Sequence, residues 1–320
     1  MIKSLALTGP TASGKTKLGI ELAKALNAEI ISCDSMQIYK DMNIGTAKPT
    51  KEERAEIKHH MIDFLSPNES YSQQLYRADA LSCAKKISER GRLPIFVGGT
   101  GLYVDALMRA PAVDVPESSP EYKSEILNGD VTEEAKEMLW QRLLSVDPES
   151  AEKTHKNNLR RVVRALEIYD TTGKPKSYFD KLSREGCAEI SLGMITLDFH
   201  NREILYERVD KRVDEMISSG LIKEVEELLS KGFLKASTTA SQAIGYKEII
   251  SYINGEDTLD SAIMKIKLST RRYAKRQLTW FRHVKDAKRI FLDNENGEPK
   301  GLSELILEAA SAAKELFERI

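Results

Sequence analysis

Cysteine is scarce. Cys33, Cys83 and Cys187 are the only three in 320 residues, an odd number, far apart, with no CxxC pair. That usage excludes a disulfide scaffold, argues against a zinc site, and fits a reducing compartment such as the cytoplasm. Long apolar runs are missing as well. None approaches the roughly 18 residues that span a bilayer, so no membrane partner is expected. The opening MIKSLALTGP offers only a short apolar run, Leu5 to Leu7, ahead of Thr8 and Gly9, too short for a secretory signal. His59 and His60 adjoin but have no cysteine or carboxylate at ligand spacing, and read as structural. Cys33, beside Asp34, reads as a small buried residue at a strand end. Internal repeats and low-complexity tracts are absent, and so is an overall excess of one charge: 48 Lys/Arg face 49 Asp/Glu, a net of −1.

What is present is an ordinary globular composition, 41% hydrophobic and 30% charged, long enough for about two domains at roughly 150 residues each. The balanced charge conceals an asymmetry. Residues 265–289 hold ten Lys/Arg against the single acid Asp286, a net of +9, which leaves −10 on the rest of the chain. A basic segment of this density is the footprint expected for a polyanion partner, a solvated helix face being the alternative.

The coarse pattern is α/β. Apolar runs at 2–8, 28–32 and 92–97 read as short buried strands, with helical periodicity at 17–26 and 72–90. Strand, helix and strand alternating at this spacing predict a parallel sheet flanked by helices. A Pro/Ser-rich connection at 111–120 leads into a helical stretch, 132–169, broken at Asp147-Pro148. A loose polar segment follows to Gly186, and an apolar strand returns at 192–199. The simplest organisation is an α/β core, 1–112 and 191–320, interrupted by a helical insertion, 113–190. Helices are expected at 202–219, 222–231, 242–254 and 258–286, the last carrying the basic run, and an amphipathic helix closes the chain at 302–320.

The sharpest motif is Gly9-Pro10-Thr11-Ala12-Ser13-Gly14-Lys15-Thr16, which matches GxxxxGK[ST] after a strand and opens a helix. Glycines let the backbone wrap an anion. Successive N–H groups and the helix N-terminus face it, Lys15 adds a point charge, and the Thr16 hydroxyl can hold Mg²⁺. A di- or triphosphate group is therefore expected here. The second strand ends in Asp34, either a Mg²⁺ carboxylate of a kinase or ATPase, or a base taking a proton from a nucleophile beside the loop. The third strand ends in Gly98-Gly99-Thr100-Gly101 without a carboxylate, and no guanine-reading motif is found. The residues alone leave those two readings of Asp34 open.

GPTASGKT, ISCDSMQIYKDMNIGTAKP (31–49), LPIFVGGTGLY (93–103), QAIGYKE (242–248) and TRRYAKRQLTWFR (270–282) occur in this order. Together they resemble the bacterial tRNA isopentenyl transferase family, from the phosphate loop to Arg282. The resemblance implies a P-loop NTPase-like core with a helical insertion domain that contacts tRNA. It implies transfer of a dimethylallyl group from dimethylallyl diphosphate to N6 of the adenosine immediately 3′ of the anticodon. Residues Gly9 to Thr16 then hold diphosphate rather than ATP, with Mg²⁺ as cofactor at Thr16. Asp34 would be the base, Thr100 would contact the diphosphate or its bridging oxygen, and Arg212 would contact the diphosphate; a surface arginine paired with Asp214 or Glu215 is the alternative for the last. For tRNA, the resemblance assigns Asp34, Ser35, Met36 and Gln37 around the adenine, and Arg160, Arg161 and Arg164 on the insertion. It further assigns Gln242, Ala243, Gly245, Tyr246 and Lys247, then Arg276, Gln277, Trp280 and Arg282. Trp280 and Phe281, being adjacent, are expected to point one outward and one inward. The animal and fungal members carry a C-terminal zinc finger; the amphipathic helix expected at 302–320, with no Cys/His cluster, favours the bacterial form. The partners expected are the tRNA anticodon stem-loop and dimethylallyl diphosphate, with the enzyme acting as a cytoplasmic monomer. A small-molecule P-loop kinase, an RNA-binding ATPase and a free-adenylate isopentenyltransferase are the competing readings; the first has no use for the basic segment, and the last requires neither that segment nor the insertion.

Overall fold

The computed structural model of the chain describes residues 1–109, 115–116, 118–127, 131–185, 189–235 and 238–319. Cys187, Gly186 and much of the Pro/Ser-rich connection lie outside them. The strands are β1 (Ile2–Thr8), β2 (Ala28–Ser32), β3 (His59–His60), β4 (Leu93–Gly98), β5 (Ile190–Asp198) and β6 (Lys288–Phe291). They form one parallel sheet in the order β3-β2-β4-β1-β5-β6. Strands buried on both faces read as continuous apolar runs rather than alternating ones. IKSLALT and AEIIS are of that kind, and β1, buried from Ser4 to Thr8, is central with Leu5 opposite both Ile95 and Gly193.

Helices cover both faces. On one side α1 (Lys15–Ala25) and the final helix pack through Leu18, Leu22, Ala309 and Ala313; on the other, α2 (Lys51–Glu56) aside, α3 (Gln73–Glu89) and α4 (Gly101–Met108) pack through Tyr76, Ala80, Val104 and Leu107. A third cluster joins Ile38, Tyr39 and Met42 to helices farther along the chain through Val213, Leu221, Tyr246 and Ile266.

Two compact units result, 1–108 with 189–320, and 109–188. The second contains α5 (Pro120–Leu127), α6 (Glu133–Val146), α7 (Pro148–Glu152), α8 (Leu159–Thr172) and α9 (Lys176–Glu185), closed around Leu143, Ala151, Val162 and Leu166. The segment read as loose and polar before Gly186 is α9. Its start is fixed by Asp147, which accepts from Ser150 N and from Ser177 N, thirty residues on, a long-range cap that local composition does not reveal.

The remaining helices of the first unit are α10 (Arg202–Ser218), α11 (Leu221–Ser230), α12 (Tyr246–Ile253), α13 (Leu259–Arg282) and α14 (Leu302–Arg319). The basic helix ends at Arg282, and Lys288–Phe291 adds the edge strand β6. Among the described residues no helix is long and apolar enough to cross a membrane.

Candidate active site

In open parallel sheets, ligand sites form beyond the carboxyl ends of the strands. Here β1, β2, β4 and β5 all deliver their ends to one place. From β1 the chain passes through 9–14 into α1. Gly14 adopts φ 80°, the left-handed region that favours glycine, and turns the backbone so that α1 begins at Lys15. A methyl group on Gly9 would lie 2.9 Å from Leu197 Cβ, so β5 approaches the loop closely. Lys15 Nζ donates to Pro10 O at 3.1 Å. Burial, then the Arg212 charge, lowers the Lys15 pKa to about 8, with Asp34 opposing. Among the described residues Ser13 Oγ is the one buried side-chain polar atom without a partner.

Asp34 is placed by the meeting of β2 and β4. Cys33 N donates to Val97 O, and Thr100 N donates back to Cys33 O at 3.0 Å. Gly98 is required at this crossing, because a methyl group there would lie 2.3 Å from the Cys33 carbonyl oxygen. Asp34 Oδ1 accepts from Met36 N at 2.9 Å and Gln37 N at 3.3 Å, which fixes the carboxylate in a short turn. Thr100 Oγ1 accepts from Ser35 N at 3.1 Å and lies 3.4 Å from Ser35 Oγ, so Thr100 and the Asp34 turn are one unit.

Asp34 borders two cavities. A small one of about 20 Å³ is lined by Lys15, Thr16, Ser32, Gln37 and His59 among others. A larger one, about 300 Å³, has Thr11, Ser35, Met36, Arg212, Tyr273 and Arg276 in its wall, with Val209, Val213, Met216 and Ile266 on an apolar side. Arg212 therefore lines a cavity rather than pairing at the surface; Asp214 is taken by Lys267 at 2.7 Å. Burial lowers the Arg212 pKa, with Asp34 and Glu215 opposing. Burial, then Asp34, raises that of Tyr273, with Thr100 opposing.

Several residues assigned to tRNA by resemblance hold the site together. Gln277 is buried: its Oε1 accepts from Thr11 N and its Nε2 donates to Gly99 O, both at 2.8 Å. It is a brace between phosphate loop and β4. Tyr246 has no exposed surface and donates to Glu224 Oε1 at 2.6 Å; a ring buried this way offers no platform to a base. Glu224 also accepts from the backbone N–H of Asn43, Ile44 and Gly45. Gly245 N donates to Glu248, and Ala243 is buried, whereas Gln242 and Lys247 are exposed. Arg282 makes a two-pronged pair with Asp198, 2% exposed, at 2.8 and 2.7 Å. Arg164 is bound to Glu167 at 2.7 Å, while Arg160 and Arg161 are exposed.

The basic run is likewise divided. Lys265, Lys267, Arg271, Arg282 and Lys288 pair with Asp257, Asp214, Asp210, Asp198 and Glu315. Arg272, Lys275, Arg276, Lys285 and Arg289 remain exposed without a carboxylate partner among the described residues. Lys275 and Arg276 border an open groove of about 620 Å³ with Met108, Trp280 and His283. Phe281 is 1% exposed and Trp280 half-buried against it, rings edge to face at 4.9 Å, the expected split. Sequence reasoning passed over Glu224, Asp198, Tyr273 and Arg208; Tyr273 lies unremarked inside the quoted block 270–282, and the other three sit in no quoted motif. Arg208 has one signal, its spacing of four residues from Arg212 on a helix.

As to metals, among the described residues no group of three or more His, Cys, Asp or Glu converges. The donors beside Lys15 are oxygens, Thr16 and Asp34. Such a set suits a hard cation held mainly by substrate oxygens.

A parallel sheet of this topology, with a phosphate loop at one strand end and a carboxylate turn at the next, defines a P-loop NTPase-like enzyme. The model of the IPP transferase family matches residues 37–284, and that of the isopentenyl transferases residues 2–67. The chain belongs to the IPP transferase family. It is 47% identical over 294 residues to the tRNA dimethylallyltransferase of Caldanaerobacter subterraneus subsp. tengcongensis, spanning 92% of this chain and 93% of that one. A tRNA delta(2)-isopentenylpyrophosphate transferase from Staphylococcus epidermidis superposes with a TM-score of 0.70 at 38% identity, over 98% and 99% of the two chains. A eukaryotic dimethylallyltransferase acting on tRNA gives 0.75 at 30% identity, over 91% of this chain and 74% of that one.

Proposed function

We propose that the chain transfers a dimethylallyl group from dimethylallyl diphosphate to N6 of the adenosine immediately 3′ of the tRNA anticodon, releasing diphosphate. One observation carries this reading: Asp34 borders both the cavity at Lys15 and Thr16 and the larger one beside Arg212, so a single carboxylate faces both a phosphate site and a space for an acceptor. The C1–O bond of the donor breaks as the N6–C1 bond forms, and Asp34 takes the N6 proton. The loop from Gly9 to Thr16, with Lys15 and Arg212, holds the departing diphosphate, where fixed charges act most strongly. Thr100, bonded to the Asp34 turn through Ser35 N, would contact the diphosphate or its bridging oxygen. Thr16, with Asp34 nearby, would hold Mg²⁺, which supplies charge neutralisation to the diphosphate.

An adenine stacked in an anticodon loop must be extruded to reach Asp34, at a few kcal/mol. Arg276 and Trp280 offer the cation and the aromatic face that single strands use, Ser35, Met36 and Gln37 lie beside the base, and Arg160 and Arg161 supply further phosphate contacts. The reaction belongs to the cytoplasm, where three scattered cysteines stay reduced.

The test is transfer of radiolabel from dimethylallyl diphosphate into unmodified tRNA with Mg²⁺ and no ATP. Incorporation is expected, and is expected to vanish when that adenosine is replaced by guanosine. Asp34→Ala should abolish transfer while tRNA affinity stays within about threefold. Label in free AMP, or ATP turnover in place of transfer, overturns the proposal.

A further inference from the structure

The first helix turns of α10 carry a cation that the reaction as described does not use. Arg208 is half-buried, and one of its amino nitrogens, Nη2, lies 3.3 Å from where a methyl group on Gly14 would sit. Its guanidinium stands 5.8 Å from the Phe199 ring centroid. Among the described residues it has no carboxylate partner, and burial alone lowers its pKa. The neighbouring acid Asp210 is taken by Arg271. A desolvated arginine without a counter-charge is costly to a folded protein, and anions are what such groups bind.

The surroundings say which anion. Arg208 and Arg212 lie one helical turn apart on α10, yet meet the loop at different points, Arg208 beside Gly14, and Arg212 in the cavity with Asp34. Ser13, next to Gly14, has the buried hydroxyl without a partner. Two phosphates of one leaving group would need two such places. The phosphate bonded to carbon must lie on the Asp34 side, where the C–O bond breaks, which leaves the Gly14 side for the terminal one.

We infer that Arg208 binds the terminal phosphate of the diphosphate, so that the two arginines of α10 divide the leaving group between them. This rests on the prenyl-transfer reading above and adds to it the reason a monophosphate would be rejected. A dimethylallyl monophosphate fills the Arg212 side and leaves the half-buried Arg208 uncompensated.

The experiment measures binding of inorganic diphosphate and of orthophosphate by calorimetry, in the wild type and in Arg208→Gln and Arg208→Met. The second variant keeps the aliphatic stem over Phe199. Turnover with dimethylallyl diphosphate and tRNA is followed in parallel. Wild-type protein should prefer diphosphate, and each variant should lose at least tenfold in diphosphate affinity with orthophosphate and tRNA affinities unchanged. KM for dimethylallyl diphosphate should rise more than kcat falls. Equal losses on both anions, or no loss on diphosphate in either folded variant, overturns the assignment. Wild-type protein that binds diphosphate but fails to prenylate tRNA would instead remove the proposed function and leave the Arg208 result standing.

Discussion

Burial beside Arg212 holds the Lys15 ammonium at about 8 rather than at 10.5, its ordinary value. A bound diphosphate favours the charged form, so inorganic diphosphate should bind with steady affinity below pH 8 and weaken above it, by up to about tenfold per pH unit. Titration calorimetry from pH 7 to 9.5 reads this directly, and a flat profile would mean that the lysine stays charged throughout. The same shift acts on folding with a definite sign. Between about 8 and 10.5 the unfolded chain holds more protons at this position than the folded one, so this residue's contribution to stability rises with pH across that window. At this scale the sequence shows the lysine but not its state. GxxxxGKT places Lys15, whereas Arg212, 197 positions later, enters through the tertiary fold.

Between β2 and α2 the chain makes a long loop that walls the acceptor cavity through Gly45 and Thr46. Its shape is imposed from outside. Glu224 on α11 accepts three consecutive backbone N–H groups, at 2.9, 2.8 and 3.2 Å, and the Tyr246 hydroxyl, while buried Lys48 donates to Tyr39 O and pairs with Asp63. Glu224→Ala strips the acceptor from all of these donors and should cost about 2 kcal/mol, with faster hydrogen exchange at Asn43, Ile44 and Gly45. Tyr246→Phe removes one donor and should cost about 1 kcal/mol. Unchanged exchange at those three amides in Glu224→Ala would show that the loop holds itself. Here lies the limit of motif reading. DMNIGTAKP and QAIGYKE are recognisable as blocks, but Tyr246 sits so close to Gly45 that a methyl group there would lie 2.5 Å from its ring. The second block therefore serves the first as a support, and a tyrosine in a basic-aromatic string looks the same on paper whether it stacks on a base or fills a core.

Across the whole molecule the electric field is smaller and more local than the +9 segment suggests, because acids from α10, α14, β5 and the turn before α13 neutralise half of its cations. Salt dependence of tRNA binding should report the difference. Arg276→Ala removes an exposed cation and should lower the slope of log affinity against log salt by about 1. Arg282→Ala should leave that slope unchanged and instead destabilise the protein by about 3 kcal/mol, the low end for stripping a buried carboxylate of its partner, since the arginine side chain is 32% exposed. Equal slopes in both variants would return Arg282 to the interface. The layered α/β plan itself was legible, since buried parallel strands advertise themselves as unbroken apolar runs. The short strands β3 and β6 were not; two and four residues long, they are strands only because β2 and β5 stand beside them.

The placement of β1 also shapes how the molecule comes into being. The first strand made occupies the middle of the sheet, and one neighbour that completes it arrives late: Thr8 meets Thr196 across 188 residues, hydroxyl to hydroxyl at 2.9 Å. At a synthesis rate of roughly 5–20 residues per second, β1 waits about 10–40 s for that partner. During this interval an apolar ribbon has one flank paired with β4 at best and the other open, the condition under which strands find wrong neighbours. The nascent enzyme thus spends its most exposed moments on the ribosome, with its phosphate loop already made and nothing yet to close over it.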